Sequence, residues 1–188
     1  DKSRIVSDAE MQSLWSRVLA GEANVPGAFA KRTVNLLADL DKEDALLFMR
    51  LCGFGWMIGN ICPLIFDVQA SIYNNRDINF SSLSHLESLG LLQFNHLSGF
   101  NRIGIPKVAT VFYYGRPVTL TFPKDSDNVL ELGRVLLTRA GQQLAPVCAP
   151  TPVEGFFEYV KEKWVGKSLI PKPGTEPVVP ADPPPAAS

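Results

Sequence analysis

Leu83-Ser84-His85-Leu86-Glu87-Ser88-Leu89-Gly90-Leu91-Leu92 is the stretch on which the fold turns. Leu83, Leu86 and Leu89 recur at helical spacing, so they share one apolar face. Gly90 suits the left-handed position that ends a helix, and Leu91 and Leu92 lead out as a strand. Ser81 stands where a cap for this helix is expected, after a brief extended piece, Ile78-Asn79-Phe80. A helix handing straight over to a strand in mid-chain points to a mixed architecture.

Downstream the strand character continues. Between Gly104 and Phe122 β-branched and aromatic residues dominate, and Tyr113-Tyr114-Gly115-Arg116-Pro117 reads as a hairpin turn between Val108–Tyr113 and Val118–Phe122. Val129 to Leu137 is mostly apolar, and Thr138 is placed to cap a short helix over Arg139–Ala145, ended by Pro146. Thr151-Pro152-Val153-Glu154 has the form of a capping box with proline at the first helical position. The helix it announces carries Phe156, Phe157, Val160 and Trp164 on one side.

Upstream the pattern is helical. Ser7-Asp8-Ala9-Glu10 also has the capping-box form, followed by Met11, Leu14, Trp15, Val18 and Leu19 as one stripe, with Gly21 as the expected stop. A second helix is expected over Ala28–Leu40. Asp41 caps a third, which runs from Ala45 to Trp56, with Glu43 and Asp44 in its first turn where the helix dipole favours negative charge. Ile61–Val68 reads as a buried strand. The fold class expected is α+β: a helical N-terminal subdomain (1–60), then an α/β subdomain with a closing helix (61–167). Residues 168–188 hold seven of the fifteen prolines and read as a Pro-rich disordered tail.

Two stretches carry resemblances. Leu14-Trp15-Ser16-Arg17-Val18-Leu19-Ala20-Gly21-Glu22, with Pro26-Gly27-Ala28-Phe29, resembles a bacterial family catalogued as a domain of unknown function. That resemblance implies a bacterial, cytoplasmic origin and brings no reaction. The family usually has serine where Ala30 stands. Leu83–Leu92, taken with Leu136-Leu137-Thr138-Arg139-Ala140-Gly141-Gln142-Gln143-Leu144, is similar to winged-helix proteins, in which a helix, a β-wing and a short closing helix follow one another. The segment between Leu92 and Leu136 is longer than a simple wing needs.

Composition bounds the function. Of 188 residues, 46% are hydrophobic, enough for a core without disulfides or metal. Eighteen basic and nineteen acidic residues leave a net charge of −1, which argues against nucleic-acid binding by bulk charge. Across 67–128, Arg76, Arg102, Lys107, Arg116 and Lys124 are balanced by Asp67, Asp77, Glu87, Asp125 and Asp127. A site neutralising several phosphates needs an excess of bases. If the wing touches nucleic acid, Ser84, His85, Tyr114 and Arg116 are the residues placed to do so.

No nucleophile elbow, phosphate loop, dinucleotide fingerprint or His-Glu-x-x-His motif occurs, and His85 and His96 have no cysteine at ligand spacing. No enzyme, metal or cofactor is expected. The longest uncharged run, Leu51–Phe66, is too short and too broken by glycine to span a membrane. Cys52, Cys62 and Cys148 read as core residues in a reducing compartment, so the location expected is cytoplasmic. The chain opens at Asp1, which reads as a processed or excised piece, and nothing near it has signal-peptide form. What fits best is a protein-interaction or regulatory module, binding a protein partner or itself, with Phe29, Lys31 and Arg32 at the Pro-Gly turn as contact residues. A DNA-binding regulator is the alternative.

Overall fold

The computed structural model describes residues 2–170, with residues 2–11 as backbone alone. Of the Pro-rich segment expected over 168–188, residues 171–188 lie outside the described part. The fold is mixed α and β. Three helices come first: α1 (Lys2–Asn24), α2 (Lys31–Asp39) and α3 (Lys42–Cys52). Helix α1 starts at Lys2, so Ser7 lies inside it rather than at its cap, and it runs past Gly21 to Asn24. Leu14 and Val18 are buried, whereas Leu19, expected on the same stripe, faces out. Asp41 caps α3 as expected, its carboxylate accepting from the Asp44 amide at 2.8 Å.

The apolar run after α3 becomes a tight hairpin instead of a longer helix and one strand. Strands β1 (Gly55–Ile58) and β2 (Asn60–Pro63) pair antiparallel around Gly59, whose φ of +76° an L side chain rarely adopts. The turn that follows the helix admits only glycine at position 55: a Cβ there would sit 2.9 Å from the Cys52 carbonyl. Trp56 therefore leaves the helix and alternates into the core.

Helices α4 (Ser71–Asn74) and α5 (Phe80–Ser88) follow. The cap of α5 is Asn79, not Ser81: Asn79 and Ser82 bond each other's backbone in a reciprocal box. Gly90, at φ +81°, ends the helix as the leucine pattern requires.

The long segment after α5 is one nested hairpin. Strand β3 (Leu92–Phe94) pairs with β8 (Val135–Leu137), β4 (Phe100–Ile105) with β7 (Asn128–Gly133), and β5 (Val108–Tyr113) with β6 (Arg116–Thr121). Tyr114 and Gly115, both at positive φ, turn the tip, the geometry that matches strand twist in a two-residue loop. The arms bend where Gly99 meets Gly133, and the tip returns to the first hairpin, pairing Phe112 with Met57. The result is a four-stranded antiparallel sheet in the order β2-β1-β5-β6.

Helix α6 (Arg139–Leu144) is seated by the residues that carried the sequence pattern. Thr138 Oγ1 accepts from the Gly141 amide at 3.2 Å and donates to the Gly90 carbonyl at 2.7 Å. Gly141 rests directly on the Leu91 carbonyl, where no Cβ fits. Helix α7 (Phe156–Gly166) covers the buried face of the four-stranded sheet. It starts after Gly155 (φ +74°) and not at Thr151; in the non-helical link before it, the Val153 amide donates to the Tyr113 hydroxyl at 2.7 Å.

Trp56 stacks on Phe157 at 5.6 Å and meets Trp164 edge-on at 4.8 Å. Neither indole N–H has a hydrogen-bond partner among the described residues; edge-to-face packing brings a positive ring edge to a π-face and offsets part of that loss. Buried apolar side chains from Leu14 to Leu169 form one cluster, so no separate core divides the chain at residue 60. Each large one contributes about 1.5–3 kcal/mol by leaving water.

Candidate functional site

The Pro-Gly turn between α1 and α2 is held from within. Both oxygens of the Glu22 carboxylate accept backbone amides, Gly27 at 2.9 Å and Phe29 at 2.6 Å, and these bonds lower its pKa from the usual glutamate value. The Phe29 ring lies where a Cβ on residue 21 would stand 2.8 Å away, so Gly21 is a packing requirement rather than a helix stop. Gln143 from α6 completes the joint: its carbonyl oxygen accepts from Thr33 Oγ1 at 2.5 Å and from the Ala30 amide at 3.2 Å, and its amide donates to the Ala28 carbonyl. Phe29 is half-buried, while Lys31 and Arg32 face solvent at the start of α2.

The four residues suited to nucleic acid fall in two places. On α5, Ser84 is half-buried and His85 Nε2 lies 2.5 Å from Asp44 Oδ1, near the start of α3. Tyr114 instead donates to the Cys52 carbonyl at the end of α3, at 3.1 Å. Cys52 stands eight helical steps beyond Asp44, about 12 Å at about 1.5 Å per step. The guanidinium of Arg116 lies 3.5 Å above the Phe157 ring and 3.4 Å from Glu158. The hairpin tip is thus bound to the body, at the opposite end of α3 from His85. His96 packs against Phe80, with ring centres 5.5 Å apart.

The open surface lies on the other face of the sheet. The strand register sets Ile61, Met57, Phe112 and Pro117 side by side in one row across β2, β1, β5 and β6. Met57 is 45% exposed, Phe112 41% and Tyr114 40%, unusual for large apolar groups brought together. They line a cleft of about 360 Å³, walled by Pro146 and Pro150 from the link between α6 and α7, with Cys52 among its lining residues. Arg17 of α1 fixes that wall by donating to the Val147 carbonyl at 2.6 Å. Among the described residues no charged side chain lines the cleft.

Chemically the cleft is suited to contact. Burial pushes the Cys52 thiol well up, and a hydrogen bond with Cys148 adds to this, so it is held as the thiol rather than the nucleophilic thiolate. Cys62 is pushed up to about 11 by burial. Among the described residues no group of three or more His, Cys, Asp or Glu could hold a metal ion, and no helix is long and apolar enough to cross a membrane. Met57 and Phe112 are absent from the residues singled out by sequence. The signal for Phe112 is its place in Val108–Tyr113, where Val111 and Tyr113 alternate inward and an aromatic points out.

Residues 1–161 match the family described as "Protein of unknown function (DUF2806)", and the chain belongs to it. No curated protein and no solved structure matches the chain.

Proposed function

We propose that this member of the family is a non-catalytic binding or regulatory module that acts in the bacterial cytoplasm through protein contacts. The observation that carries the proposal is the exposed apolar row Met57–Phe112 with Tyr114 beside the Pro146–Pro150 wall. Surfaces of this kind on soluble domains are covered by partners more often than left in water. Lys31 and Arg32 at the Pro-Gly turn are a second, charged place for contact.

The order α4–α5–β3, then β8–α6, supports a winged-helix-like reading of the second half, with β4 to β7 as an enlarged wing. It also keeps the DNA-binding alternative in view. That alternative draws little from the chemistry: α5 presents serines, His85 and Glu87, and Arg116 is engaged by Phe157 and Glu158.

Photocrosslinking separates the readings. With benzoylphenylalanine at position 112 in bacterial cells, a discrete protein adduct is expected, and Met57→Asp should remove it. The same adducts from position 103, where Ile103 is 77% exposed on β4, would overturn the cleft as the contact surface. Duplex DNA bound at low salt and released steeply as salt rises would favour the DNA-binding alternative.

A further inference from the structure

Next to the apolar cleft lies a second hollow of about 340 Å³, and the two share Ala149 and Pro150 as a common wall. Its character is different. Arg50 and Arg76 line it beside Met49 and Val153, and among the described residues no carboxylate lines either hollow. Arg50 is paired with Asp77 at 2.5 Å, whereas the exposed Arg76 side chain has no hydrogen bond or ion pair among the described residues. Asp77 is itself three-quarters exposed, so it neutralises Arg50 from the solvent side and leaves Arg76 uncompensated. An apolar slot is thus joined, across one two-residue wall, to an unpaired guanidinium.

We infer that the partner of this surface is an extended peptide that sets an apolar side chain into the Met57–Phe112–Tyr114 cleft and a carboxylate on Arg76. This rests on the binding-module reading and adds the chemistry of the partner. The charge supplies the commitment: the cleft offers nothing to an ion, and the adjoining hollow offers a planar fork of donors with no acid of its own. An extended chain advances about 3.3 Å per residue, so an acidic residue two or three places beyond the apolar one stands about 7–10 Å from it, the span this assignment asks of the shared wall. Arg50 is then a second donor, exchanging its solvent-exposed Asp77 for the peptide carboxylate.

The test uses the full chain and three fluorescein-labelled peptides in an anisotropy titration. Gly-Leu-Phe-Pro-Asp-Glu carries both features, Gly-Leu-Phe-Pro-Asn-Gln only the apolar one, and Gly-Ser-Ser-Pro-Asp-Glu only the acidic one. The first is expected to bind about tenfold tighter than the second, and the third to bind weakest. Arg76→Gln should bring the first peptide down to the second while leaving the second unchanged; Phe112→Ser should weaken both. Equal affinity of the first two peptides for the unaltered chain overturns the carboxylate assignment and leaves the apolar cleft as a binding surface. No binding of any peptide removes this inference, while the crosslinking experiment decides the binding-module reading on its own. Peptide-free self-association abolished by Arg76→Gln would give the surface to a second copy and overturn a peptide partner. Affinity that appears only after Glu176→Gln and Asp182→Asn would give it to the chain's own residues 171–188, with the same consequence.

Discussion

Gln142 holds the backbone of Ile61 by both of its groups: its side-chain oxygen accepts from the Ile61 amide at 3.2 Å, and its side-chain nitrogen donates to the Ile61 carbonyl at 2.7 Å. Ile61 lies on β2, an outer strand of the four-stranded sheet, so the glutamine occupies hydrogen-bonding groups that another strand would otherwise take. Gln142→Ala should lower stability by about 1–2 kcal/mol and raise self-association, read by urea unfolding and sedimentation. An unchanged midpoint would mean that water replaces the glutamine without loss.

Glu22 gives a pH dependence with a defined sign. Its folded-state pKa is lowered by the Phe29 and Gly27 amides, so its stabilising effect is full above the unfolded glutamate value and fades as pH falls through the lower folded value. Glu22→Gln should therefore unfold more easily than the unaltered chain at pH 7, with the gap closing below about pH 4. A gap that persisted at pH 2.5 would show that the charge is not what holds the turn.

Tyr113 ties three elements with one hydroxyl, donating to the Gly53 carbonyl at 2.8 Å and accepting from the Val153 amide at 2.7 Å. Both bonds are buried. Tyr113→Phe should cost about 2–3 kcal/mol, since it orphans a donor and an acceptor together. Chemical denaturation measures this directly, and a loss under 0.5 kcal/mol, roughly the effect of a surface change, would contradict it.

Gly141 has no room for a side chain, since a Cβ would overlap the Leu91 carbonyl. Backbone cannot rotate away as a flexible side chain does. Gly141→Ala is expected to destabilise by about 3 kcal/mol despite alanine's better helix propensity, while Gly166→Ala, with open space around it, should be neutral or mildly stabilising. Thermal unfolding of the pair decides it.

The three cysteines, all buried, should resist a thiol reagent at pH 8 in the native state and react promptly in guanidinium. Because burial raises the Cys52 and Cys62 values, ionisation favours the unfolded chain as pH rises above the usual thiol range, and stability should fall there. Fast native labelling of Cys52 would mean that the cleft opens far more than its walls allow.

What sequence revealed follows the range of the interactions. Asp41 as a cap, Gly90 as a stop and Tyr114-Gly115 as a turn depend on neighbours within a few residues, and each is where local chemistry puts it. The Thr151 box lies instead in a link tied to distant Tyr113 through the Val153 amide, and left-handed Gly155 precedes the helix. Trp56 leaves its expected helix through a turn at Gly55 that has no room for a Cβ beside the Cys52 carbonyl. The cleft was invisible for the same kind of reason, since Met57 and Phe112 become neighbours only when the hairpin tip returns to β1. Glu22 was visible as a motif, but its task, holding the turn from inside, needed the geometry.

The nested hairpin ties the lengths of its two arms together. From Leu92 to Leu137 the strand residues of one arm pair in fixed register with those of the return arm, and the register shifts between β4 and β7 absorb fixed mismatches. One residue added to a single arm would invert the alternation of everything beyond it, sending Phe112 inward and Tyr113 out. Natural length variation in this segment should therefore come as matched changes on both arms, or at the loops where β4 meets β5 and β6 meets β7. The binding face is in that sense a property of counting as much as of composition.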